Sequence, residues 1–262
     1  MNAEHVGAIT ITVWQLALCL VFVLVTGLGS FFYKLRLEKD LGVGTVRTFV
    51  QLLLVGYILK YVFAIDSVWV VGAVFAFMVF WAAETIHGRV KEPKLRILGS
   101  VYVSMLLSNF AVTFVVTAVV IRVRPWYEPR YFIPLAGMIV GNAMNAVAVS
   151  LDRMFSSIRK QRQEVELHLC LGANYQEATV DILREAMRAG MIPSINAMMT
   201  VGLVSLPGMM TGQILAGQAP EEAVKYQIVV MLMITACTGI ASFIVVRLVR
   251  RKCFSKAQQI LL

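Results

Sequence analysis

Residues 200–217 read TVGLVSLPGMMTGQILAG and carry the most distinctive chemistry of this chain. Pro207 removes a backbone N–H and clashes one turn back, so a helix running through it kinks or breaks at Leu206-Pro207-Gly208. Gly208 loosens the same point, and Ser205 can hydrogen-bond the carbonyls thus freed. Met209 and Met210 then stand beside exposed backbone oxygens. Soft thioethers next to hard carbonyls suit the passage of a transition metal better than its tight retention. The same methionines also suit gap-filling around a kink, and both readings stand. A second polar cluster lies in PLAGMIVGNAMNAVAVSLDRM, residues 134–154. Asn142 and Asn145 share a helix face with Met138. Two carboxamides within an apolar segment must face protein or water, so they either bond a neighbouring helix or line a polar path. Glu84, in FWAAETIHGR, lies at the end of another apolar run. It either snorkels to the interface, attracts a cation or pairs with a nearby basic residue.

Other chemistries lack a motif. No Gly is followed by Lys, which excludes a Walker A loop. His5, His87 and His168 are far apart, and there is no nucleophile elbow. The four cysteines contain no CxxC pair and read as packing residues. The chain is expected to be a non-enzyme that binds no cofactor of its own.

The one long polar stretch, residues 152–190, is rich in Glu, Gln, Arg, Leu and Ala, all good helix formers. Gly172 and Asn174 mark a turn. The spacing predicts a helix running inward from the preceding span, a bend at 172–174, and a second helix returning to Pro193. Glu166 stands six residues before the Gly of Leu171, Gly172 and Ala173. That arrangement resembles the coupling loop of ABC importer permeases, in which a short bent helix enters a groove on a cytosolic ATPase. Leu167 and His168 replace the alanines usual in that loop, so an ordinary cytoplasmic hairpin also fits.

These groups are carried by a very apolar chain. Of its 262 residues, 59% are hydrophobic and 15% charged, against roughly 25% charged in an ordinary soluble domain. The apolar residues form seven blocks of bilayer-spanning length, at about 8–33, 45–64, 68–87, 97–121, 131–151, 191–216 and 225–248. The expected fold is therefore all-α, a polytopic membrane protein with about seven transmembrane helices and a cytoplasmic helical coupling segment. A single permease domain would cover residues 1–262, with 152–190 as coupling helices within it. Nineteen of the 24 Lys and Arg fall in the first, third and fifth connections and after the last span. The positive-inside rule makes that side cytoplasmic, with the N-terminus outside and the C-terminus inside. The net charge of +9 thus orients the chain and favours anionic lipid over nucleic acid.

Four blocks carry a wider resemblance: LEKDLGVGTVRTFVQLLLVGYILKYVFAID (37–66), PLAGMIVGNAMNAVAV (134–149), TVGLVSLPGMMTGQILAG (200–217) and AVKYQIVV (223–230). Together they resemble the FetB family of ABC permeases, over about residues 37–248. A plant relative is the membrane half of an aluminium-tolerance transporter. The resemblance implies a homodimeric permease in the cell membrane, paired with a separate cytosolic ATPase that binds ATP and magnesium, and exporting iron or a related metal. Two other classes compete with it: an ion-coupled secondary transporter, and a membrane scaffold or regulator that transports nothing.

Overall fold

The computed structural model describes residues 12–65, 67–90 and 95–262. Positions 8–11 of the first expected span, His5, Lys91 and Lys94 lie outside them. The chain is an all-helical membrane protein. Its helices are α1 (Val13–Phe32), α2 (Glu38–Val62), α3 (Val68–Val90), α4 (Leu98–Val115), α5 (Pro129–Lys160), α6 (Arg162–Cys170), α7 (Val180–Thr200), α8 (Gly208–Leu215) and α9 (Pro220–Lys252). A π-helical turn, Val116–Val120, extends α4.

Among the described residues, six helical segments are long and apolar enough to cross a membrane alone. The seventh expected span, 191–216, is not one kinked helix. α7 stops at Thr200, residues 201–207 form a non-helical turn, and α8 begins at Gly208. Pro207 accounts for the difference: at the threshold of α8, its missing N–H costs no helical bond and its ring meets no preceding turn. Pro193, where the coupling helix was expected to end, lies inside α7. α2 and α9 also outrun their apolar blocks, because good helix formers continue the pattern into water: α2 begins at Glu38 and α9 runs from Pro220 to Lys252, while α5 continues inward to Lys160 as expected.

The described residues divide into two compact units. One contains α1, α2 and Gly212–Ala219. There Ser30 Oγ donates to Glu38 Oε1 at 2.9 Å and accepts from Leu37 N–H at 3.1 Å, tying the α1–α2 connection. Side chains of α1 and α2 are otherwise almost wholly exposed, as befits helices facing lipid or another chain.

The second unit, Ser67–Thr211 with Pro220–Leu262, holds the core. α5 runs through its middle, with Ala136, Ala143, Ala146 and Ala148 among its buried positions. These small side chains let α3, α4, α7 and α9 approach closely. Contacts fix the directions. α3 is parallel to α5, because Phe75 meets Phe132 and Arg89 meets Asn145. α7 is antiparallel to α5, because Gly190 faces Ala146 and Ser150 while Glu185 bonds Arg153 and Ser157. α9 is antiparallel to α7 and to α4. The third and fifth connections and the C-terminus therefore share one end of this unit, the end richest in Lys and Arg.

Gly137 with Gly141 and Gly208 with Gly212 form GxxxG pairs, a spacing that permits close helix approach, but none of the four meets a neighbouring backbone. A Cβ at Gly141, Gly208 or Gly212 would meet no atom within 4 Å, and at Gly137 only the Met78 methyl, 3.3 Å away. The close helix–helix approach is at Gly190, beneath the Ala146 carbonyl. A buried polar stripe on α4, absent from the sequence reading, runs Ser104, Ser108, Asn109, Thr113 and Thr117. Its hydroxyls mostly bond back to their own helix, and Asn109 Oδ1 accepts from the Cys237 thiol of α9 at 3.3 Å. The stripe joins two helices and faces none of the cavities described below.

Candidate functional site

The polar segment 152–190 is built around Gly172. The single helix expected from the fifth span is cut at Gln161, where φ −100° and ψ 22° leave the helical region, and α6 then restarts. Cys170 ends α6, and Gly172 follows with φ +97°, a left-handed conformation that glycine adopts at least cost. Its N–H bonds Leu169 O at 3.1 Å, and the Ala173 N–H bonds His168 O at 3.0 Å. These are the two bonds of a Schellman cap. The cap projects Leu171 into solvent, with 77% of its surface exposed. Glu166 accepts from Arg162 Nε at 2.8 Å. Such an exposed ion pair contributes at most about 1 kcal/mol and can yield readily to a partner.

The C-terminus braces this turn, which the sequence reading did not foresee. Residues 253–262 fold back through an antiparallel bridge between Phe254 and Ile260. Gln258 Oε1 accepts from Tyr175 N–H at 2.9 Å. The Tyr175 ring lies 5.5 Å from that of Phe254 and 5.8 Å from the Arg250 guanidinium. Between hairpin and turn is a cavity of about 720 Å³, lined in part by Arg162, Glu166, Gly172, Ala173 and Gln258. Burial pushes the Cys253 thiol up to about 12, so it stays protonated at neutral pH. Cys19 and Cys170, by contrast, are exposed rather than packed.

α7 connects the turn to the break. Near the start of α7, Glu185 pairs with Arg153 of α5, and this hydrogen bond holds its carboxyl below the usual carboxylate range. Beyond Gly190 the helix carries no charged residue and ends at Thr200, a rise of roughly 15 Å, about half the hydrocarbon thickness of a bilayer. Irregular backbone at such depth persists where protein or a wet cavity covers it. In the turn, Ser205 acts through its carbonyl, which accepts Gly202 N–H at 2.9 Å, rather than through its hydroxyl.

Two cavities flank this leg. The first, about 200 Å³, is lined by Asn142, Asn145, Pro193, Ser194 and Met231 among others. Asn142 Nδ2 donates back to Met138 O at 2.8 Å, and Asn145 Oδ1 accepts from Arg89 Nη1 at 2.9 Å. Part of the polar lining is thus held by a guanidinium from α3. The second, about 390 Å³, lies at the break between α7 and α9. Met198, Leu206, Pro207, Met210, Gln227 and Met231 are on its walls. Met231 borders both cavities. The structure thus brings Asn142 close to Asn145, and Pro207 close to Met210. Met209 is half-buried and lines neither cavity, and Gly208 is exposed at the start of α8. Glu84 is exposed near the C-terminal end of α3. Met198, Gln227, Met231 and Arg89 were not singled out from the sequence. Only the i, i+4 spacing of Gln227 and Met231 on one helix face hinted at a shared wall.

The family model described as "Uncharacterised protein family (UPF0014)" matches residues 13–254. Among curated relatives, the chain is 40% identical to the UPF0014 membrane protein slr1647 of Synechocystis sp., over 82% of this chain and 83% of that protein. It is 36% identical to the probable iron export permease protein FetB of Escherichia coli, over 95% of each. It is 35% identical to the protein ALUMINUM SENSITIVE 3 of Arabidopsis thaliana, over 93% of this chain and 88% of that one. No solved structure matches the chain.

Proposed function

We propose that this chain, which belongs to the UPF0014 family, is the membrane subunit of an ATP-driven exporter that moves iron or a related metal ion out of the cytoplasm. The supporting observation is mechanical continuity: the chain leaves the Gly172 turn and passes through the one helix α7 to the break at 201–207. A cytosolic ABC ATPase grips Glu166, Leu171, Gly172 and Ala173. ATP and magnesium bind that partner, and this chain catalyses no reaction itself. When the ATPase closes, α7 moves against α5 and α9, and the displacement reaches Pro207 and Gly208 directly. Two copies form the pore in the cell membrane, with the basic end in the cytoplasm and the N-terminus outside.

In this reading the 200 Å³ cavity with Asn142 and Asn145 and the cavity with Met210 are successive stations on one path. Ser205 holds the break closed through its carbonyl. Glu84 raises the local concentration of cations near the inner mouth, and Arg89 keeps Asn145 from holding an ion too tightly. The thioether of Met210, with Met209 beside it on α8, gives the metal a soft contact in transit.

The metal role is tested by Met209→Leu combined with Met210→Leu. Leucine conserves volume and costs under about 1.5 kcal/mol, so expression should stay near normal. Stimulation of the co-purified ATPase should fall, and its rank order across iron, manganese, zinc and copper should change. Unchanged stimulation and rank order would make both methionines packing residues.

A further inference from the structure

The cavity at the break is too large and too apolar to be explained by a metal alone. Its volume is about 390 Å³, whereas one water accounts for about 30 Å³ of liquid. An ion touching Met210 fills a small fraction of that space. Leu206, Pro207, Ile228 and Met231 offer water too few partners to fill the rest. One polar side chain breaks the apolar lining. Gln227 is buried, with 5% of its surface exposed, and its Oε1 has no hydrogen-bond partner. Rotation about χ3, a soft torsion, turns either end of this amide toward the cavity. Lipid tails would match the walls and leave the carboxamide unsatisfied, a costly arrangement at membrane depth.

We propose that this cavity binds an organic molecule with an apolar body and a single hydroxyl-type polar end, the hydroxyl meeting the Gln227 carboxamide. A hydroxyl both donates and accepts, so it pairs with whichever end of the amide faces the cavity. The flexible methionines Met198, Met210 and Met231 close around the body, the adaptable packing thioether side chains provide. Met198 is itself steadied by Thr235, whose hydroxyl lies 2.7 Å from its sulfur.

The test needs neither ATPase nor metal, so it stands or falls apart from export. The full chain in lipid nanodiscs is photolabelled with 4-(3-trifluoromethyl-diazirinyl)benzyl alcohol, and labelled residues are mapped by mass spectrometry. The control probe carries methyl in place of hydroxymethyl. Saturable labelling of Met198, Met210, Ile228 and Met231 by the alcohol is expected, exceeding that by the hydrocarbon roughly fivefold or more, the loss of one buried hydrogen bond. Gln227→Met should remove the difference between the probes. The two-probe comparison on the unmodified chain decides the matter even if this variant folds poorly. Equal labelling by both probes would show an apolar groove without recognition. Non-saturable labelling spread over α1 and α2 would show lipid partitioning, and protection that appears only on dimerisation would make the cavity a contact between copies. Each of these overturns the proposal.

Discussion

Gly172→Val will leave the helical core folded and abolish stimulation of the ATPase. A Cβ at Gly172 would meet no atom within 4 Å, so the substitution introduces no clash. Its whole effect comes from φ +97°. A residue with a side chain loses roughly 1–2 kcal/mol in this region, and a β-branched one more. The Schellman cap opens, the N–H groups of Gly172 and Ala173 lose their carbonyls, and Leu171 swings away from its projecting position. Asparagine tolerates positive φ, so Gly172→Asn should retain most of the coupling. The measurement is co-purification of the ATPase and its metal-stimulated hydrolysis, beside the thermal melting of the membrane chain alone. Loss of coupling with unchanged melting in the valine variant, and recovery in the asparagine variant, is the expected pattern. If Gly172→Val pulls down and stimulates the ATPase normally, the turn is not the docking element.

Gly190→Val will do the opposite and destroy the fold of the second unit. Its Cβ would stand 2.0 Å from Ser150 Oγ and 2.6 Å from the Ala146 carbonyl oxygen. The hydroxyl can rotate away; the carbonyl is fixed in the backbone of α5. α5 and α7 must therefore separate along their antiparallel contact, which also strains the Arg153–Glu185 pair. Overpacking of this kind costs typically 1–3 kcal/mol and occasionally more, and a wedge between two central helices belongs at the upper end. Monodisperse protein recovered in detergent should fall severely. Ser150→Ala should not rescue it, because the carbonyl remains. Normal yield and melting for Gly190→Val would mean that α5 and α7 do not pack as described.

Most of the architecture was legible because bilayer-length apolar blocks leave a helix no alternative. The Gly172 turn was legible for a local reason, glycine before a polar turn residue. Pro207 was located correctly as the point where the span kinks or breaks: a proline inside an apolar run signals either with equal force, and only the extended Val201 at the end of α7 selects the break. Pro193 shows the converse, since α7 continues past it at the cost of the Ala189 carbonyl's helical partner. Arg89 on Asn145, Gly190 under Ala146 and Gln258 on Tyr175 join positions distant in sequence, and no local pattern announces them. The pairing of Asn142 and Asn145 was readable from helical spacing, but the guanidinium that caps one of them was not. Met209 and Met210 looked equivalent in sequence; one residue of helical rotation puts Met210 on the cavity wall and leaves Met209 off it.

The central claim, that ATP hydrolysed on a partner drives metal outward through this chain, is tested most directly in inside-out membrane vesicles. Iron(II) uptake into vesicles holding this chain and its ATPase is followed with ATP, with a non-hydrolysable analogue, or with an imposed proton or sodium gradient. Uptake is predicted only with ATP and only when both chains are present. Uptake driven by an ion gradient in vesicles that lack the ATPase would contradict the account and make the chain a secondary transporter.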